Sequence, residues 1–85
     1  MKPYPARAGE SGVTAYEDIE GGIAVQFQGG KVYVYRETGI GTDHLVQLRR
    51  AATRGAGLAS YISRHVHDGY DAMYDSAAAW RRARR

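Results

Sequence analysis

The strongest constraint in this 85-residue chain is the run Ile23-Ala24-Val25-Gln26-Phe27-Gln28, then Gly29-Gly30, then Lys31-Val32-Tyr33-Val34-Tyr35-Arg36. Each flank alternates with a period of two and is rich in β-branched and aromatic residues, the pattern of a strand. Two adjacent glycines accept the positive φ angles of a two-residue type I′ turn, whose twist matches the strands it joins. A β-hairpin is the expected outcome. The short turn places Gln28 opposite Lys31, Phe27 opposite Val32, Gln26 opposite Tyr33, Val25 opposite Val34 and Ala24 opposite Tyr35. In that register Ile23, Val25, Phe27, Val32 and Val34 face a core. Lys31, Tyr33 and Tyr35 stand on the other side with Ala24, Gln26 and Gln28. One extra residue near the turn would exchange the faces of one strand.

The rest of the chain supplies partners for this hairpin. Val13–Glu17 reads as a further strand, and Asp18–Gly22 as a turn. Thr42 or Asp43 can cap a helix that carries Leu45, Leu48 and Ala52 at helical spacing and runs to about Arg54. Gly55-Ala56-Gly57 ends it. A second helix follows with Leu58, Tyr61, Ile62 and Val66 on one stripe, interrupted at Asp68-Gly69. The expected fold is α+β: a small antiparallel sheet of about three strands, packed on one face by two helices. Residues 1–12 read as an irregular lead-in and 1–70 as a single domain. Residues 71–85 form an Ala/Arg-rich tail with room for a third helix capped by Asp75 or Ser76. So short a helix is marginal alone, so Met73, Tyr74 and Trp80 dock it or it frays.

A chain of this length holds one domain and has no room for a deep substrate cavity. It contains no cysteine, which excludes disulfides, thiolate catalysis and cysteine-based zinc sites. No stretch is apolar enough for a signal peptide or a membrane span, so a cytoplasmic protein with no membrane partner is expected. Charge is uneven. Residues 1–43 carry four Lys/Arg against six Asp/Glu, whereas residues 44–85 carry eight Arg against three Asp. Such an asymmetry suits an anionic partner for the second half, or a solvated helical face.

Several short motifs, in order, resemble the KTSC domain, found at the C-terminus of some lysyl-tRNA synthetases and as stand-alone bacterial proteins. They are Val13-Thr14-Ala15-Tyr16-Glu17, Val25-x-Phe27-x-x-Gly30, Tyr33-Val34-Tyr35, and Gly55-x-Gly57-Leu58-x-Ser60-Tyr61-Ile62 closed by Tyr70. Lys2-Pro3-Tyr4 and Ser11-Gly12-Val13 look like the stand-alone, uncharacterised branch. The likeness covers Lys2 to Tyr70. The chain departs from it at Glu37-Thr38-Gly39-Ile40-Gly41, where many members have a Val-Pro step. The family has no established function, and RNA binding has been suggested for it.

Candidate sites follow from these features. Tyr33 and Tyr35 beside Lys31 and Arg36 resemble a sheet platform on which single-stranded bases stack, although tyrosines also simply cover neighbouring strands. Arg49, Arg50 and Arg54 beside Gly55-Ala56-Gly57 could meet phosphates, although a tight turn between helices needs the same glycines. The expected function is a small nucleic-acid-binding module, for RNA or another single strand. The alternative is a protein-interaction or homodimerisation domain using a sheet edge. No enzyme activity, cofactor or metal is expected. His65 and His67 point apart on a helix, and His44 has no metal-ligand spacing to either.

Overall fold

The computed structural model describes residues 1–5 and 12–84. Five strands, β1 (Lys2–Pro3), β2 (Val13–Ile19), β3 (Gly22–Phe27), β4 (Val32–Arg36) and β5 (Ala72–Tyr74), form one antiparallel sheet in the order of the sequence. One helical turn, α1 (Glu37–Ile40), follows β4 and leads into α2 (Thr42–Arg54). Next comes α3 (Leu58–Tyr61), which widens into a π-helical segment, Ile62–Val66, and α4 (Ala77–Ala83) ends the fold. The expected α+β class is correct. Two strands were not anticipated, β1 and β5, both too short to show a period. Of the irregular lead-in expected over residues 1–12, Lys2–Pro3 instead forms β1, and residues 6–11, like the terminal Arg85, lie outside the described residues.

The hairpin forms, but its register differs from expectation by one residue. Gln26 pairs with Val32, Val25 with Tyr33, Ala24 with Val34 and Ile23 with Tyr35. The reason is the loop, which holds three residues rather than two. The Phe27 N–H donates to the Lys31 carbonyl at 2.9 Å, and the Gly30 N–H to the Phe27 carbonyl at 3.0 Å. Gly29 and Gly30 take φ of +95° and +99°, a conformation open to glycine at little cost. Gln28 joins the loop, β4 moves by one residue, and its two faces exchange.

That exchange divides the core. Tyr16, Ile23, Val25 and Tyr35 pack beneath α2, α3 and the π-segment with Leu45, Leu48, Ala51, Ala52, Leu58, Ile62 and Val66. Val32 and Val34 turn to the opposite side with Ala24, where they would face water if left uncovered. Trp80 of α4 covers them and is 2% exposed. The sheet thus lies between helices on both faces, whereas helices on one face were expected. Ser76 caps α4, its Oγ accepting from the Ala79 N–H at 3.1 Å, so one of the two anticipated caps is used.

Two irregularities complete the packing. A bulge at Thr14 lets Val13 pair with Phe27 and Ala15 with Gln26, so Val13 and Tyr16 share the main core. At the end of α2, Gly55 has φ of +76°, and a Cβ there would lie 2.9 Å from Pro5 Cγ. The N-terminal segment crosses the helix end that closely only because residue 55 has no side chain.

Candidate functional site

The register change removes the stacking platform expected on the sheet. Tyr35 is 1% exposed and belongs to the main core. Burial pushes its phenol well above the ordinary value, with Tyr33 and Tyr70 adding to the effect. A base cannot stack on a ring so enclosed. Tyr33 is half-buried, held edge-to-face between Phe27 at 5.3 Å and Tyr70 at 4.9 Å.

The arginines expected at the two candidate sites, Arg36 beside the tyrosines and Arg49, Arg50 and Arg54 at a phosphate site, separate into different roles. Arg49 Nη2 donates to the carbonyls of Ile19 and Gly22, both at 3.1 Å, and its Nε lies 3.6 Å from Asp18. It ties α2 to the β2–β3 turn. Arg36 pairs with Asp71 at 3.2 Å. Arg54 reaches the Ala56 carbonyl at 3.3 Å, inside the turn between helices. Arg50 is exposed and lines a shallow depression on α2 with Val46, Arg49, Thr53 and Arg54.

What the fold does assemble is a groove of about 500 Å³ between the hairpin end of the sheet and the π-segment. Phe27, Tyr33, Ile62 and Tyr70 supply its apolar surface, with Lys31 and Ser63 among its polar groups. Ile62 reaches it from the π-segment, a wide turn often found at functional sites. Beside the groove runs β5, which pairs with β4 on one side and has no strand on the other among the described residues. Met73 lies opposite Tyr33 and is therefore on the groove's side of the sheet. Tyr70 and Met73 are 43% and 40% exposed.

Sequence reading passed over these two residues as site candidates. A tyrosine after Asp68-Gly69 and a methionine in an Ala/Arg-rich tail give no periodic signal. The pairing of β5 with β4 sets Met73 opposite Tyr33, and Tyr70 lines the groove edge-to-face against Tyr33. His44 and His65 likewise come together through Tyr61: its hydroxyl is 2.7 Å from His44 Nδ1, and its ring centroid 4.3 Å from that of His65. No three His, Cys, Asp or Glu side chains converge as a metal site among the described residues, and no helix there is long and apolar enough to cross a membrane.

Compared with known proteins, the chain matches no family model, no curated protein and no solved structure.

Proposed function

We propose that the chain is a protein-interaction module that takes an extended segment of a partner along the outer edge of β5. The observation that carries this reading is the exposure at that edge. Of the three large hydrophobics exposed among the described residues, Met73 is in β5 and Tyr70 stands two residues before it. A free edge offers backbone N–H and C=O groups to an added strand, and a neighbouring apolar groove receives its alternate side chains. The opposite edge suits this less, because β1 consists of Lys2 and Pro3, and proline cannot donate to a ladder. The role is binding, with no catalytic step. The KTSC-like assignment stays a proposal resting on its sequence motifs.

Panning a random heptapeptide library on the protein, with Met73→Asp as the counter-target, tests the reading. A peptide consensus that the substitution abolishes supports it. No consensus, or one indifferent to Met73, sinks it.

Nucleic-acid binding is the second reading, and Arg50 and Arg54, one turn apart on the outward side of α2, favour it. Lys31 would add charge from the groove. With Tyr35 buried and Arg49 engaged at a turn, this reading rests on charge. Arg50→Ala should then reduce the salt slope of single-stranded RNA binding by about one unit. Absence of amide shifts on adding oligonucleotide at low salt would remove it.

A further inference from the structure

We infer that the groove binds a small organic zwitterion, with its quaternary ammonium in the corner between Tyr33 and Tyr70 beside Asp68 and its carboxylate directed toward Lys31. The inference goes beyond the β5-edge reading, because it needs the groove and not the strand edge.

The corner comes from the rings. Tyr33 and Tyr70 meet at an interplanar angle of 83° with centroids 4.9 Å apart, and Phe27 stands at 89° to Tyr33. The face of each ring carries the negative part of its quadrupole, so perpendicular rings attract one cation from two directions. A trimethylammonium group is round and fills such a corner, whereas a planar guanidinium lies flat on one ring. A primary ammonium has three N–H donors to satisfy, and the neighbouring side chains of Ala59 and Ile62 offer no acceptor. The volume of about 500 Å³ suits a small molecule.

Two charges toward opposite ends of β4 give the groove its polarity. Asp68 lines it with a side chain 91% exposed, 3.1 Å from His67 Nδ1. The next residue, Gly69, packs against α1, where a Cβ would lie 2.8 Å from Ile40 Cγ2. Because α1 starts where β4 stops, Asp68 belongs to the Arg36 end of the strand. Lys31 lies just before the first residue, Val32, and has no ion-pair partner among the described residues. Tyr33 stands between them, about 7 Å along the strand from Lys31. Lys31 would repel a simple cation and Asp68 a simple anion. A zwitterion a few bonds long meets an opposite charge at each end.

Three ligands that differ in one charge test this: γ-trimethylammonio-butyrate, its carbon analogue with a tert-butyl group in place of the trimethylammonium, and butyltrimethylammonium, which lacks the carboxylate. Each is titrated into the millimolar range near pH 8, where imidazoles ordinarily carry no charge, and followed by the amide resonances of Tyr33 and Tyr70. The zwitterion should bind tighter than the carbon analogue by about 2- to 30-fold, from cation–π attraction at the rings. It should bind tighter than butyltrimethylammonium by about 1.5- to 5-fold, from an exposed ion pair with Lys31. Tyr70 is 43% exposed, and Tyr70→Leu should narrow the first difference while leaving the carbon analogue unchanged. Lys31→Gln should remove only the second. Equal affinity for the zwitterion and its carbon analogue overturns the ammonium site. A zwitterion no tighter than butyltrimethylammonium overturns the part given to Lys31. Equal losses for zwitterion and carbon analogue in Tyr70→Leu mean that the ring acts by shape alone, which also overturns the ammonium site. No shift at Tyr33 or Tyr70 from any ligand overturns the inference whole and leaves the edge reading standing.

Discussion

Arg84 and Glu17 join the last helix to the second strand, with Arg84 Nη1 2.6 Å from Glu17 Oε2. The same guanidinium stands 4.7 Å from the centroid of the Trp80 ring. The Met1 amino group approaches the other Glu17 oxygen at 3.4 Å. Charge and ring together hold α4 on the face of the sheet that carries Val32 and Val34.

Burial alone would raise the Glu17 carboxyl, but the bonds from Arg84 and the Met1 amino group outweigh it and hold the carboxyl below its ordinary 4.5. A depressed folded value means the stabilisation is complete above about pH 4.5 and is lost as pH falls through the folded value. Glu17→Gln should therefore lower stability near neutrality and make little difference in strong acid. Urea midpoints of both proteins, measured across that range with the single tryptophan as reporter, check the sign.

Trp80→Ala should cost about 3–5 kcal/mol, the usual consequence of emptying a buried aromatic site. It would also leave Val32 and Val34 open to solvent, since α4 has seven residues and cannot persist undocked. Urea unfolding gives the loss. Amide exchange should show α4 and β5 opening before β2 and β3; uniform protection would contradict the assignment of Trp80 as the anchor.

Arg49 and Arg50 are adjacent but should respond differently. Arg49→Ala leaves the carbonyls of Ile19 and Gly22 without that donor and should cost about 1–3 kcal/mol. Arg50→Ala alters an exposed side chain and should stay within about 0.5 kcal/mol. Thermal melts of the two variants decide the matter directly.

Tyr35 gives an alkaline counterpart to Glu17. Its phenol is raised above the ordinary 10.0 by burial, so the folded state keeps a proton that the unfolded chain releases. Stability from this group is present below pH 10 and falls as pH rises beyond it. Tyr35→Phe should shift alkaline unfolding to higher pH. An unchanged alkaline midpoint by circular dichroism would show that Tyr35 does not control it.

Local pattern carried much of the secondary structure. The period-two runs on either side of Gly29-Gly30 announced β3 and β4, and Leu45, Leu48 and Ala52 announced the buried side of α2. The glycines at 55 and 57 ended one helix and opened the next, because both adopt positive φ. These features depend on nearest neighbours and are therefore written in the order of residues.

The site was hidden because it depends on one residue of register. Two adjacent glycines are compatible with a two-residue or a three-residue hairpin loop. Tertiary packing favours the longer one: it buries Tyr35 beneath the helices and turns Val32 and Val34 toward Trp80. Trp80 comes from a segment with no strong pattern of its own, more than forty positions along the chain. The sequence by itself determined a hairpin, two amphipathic helices and a cysteine-free α+β fold. Only the tertiary structure decided which side of the sheet holds the tyrosines, that a fifth strand would form, and that its edge would carry Met73 beside Tyr70. Side-chain period is local, whereas which face is covered depends on contacts between distant segments.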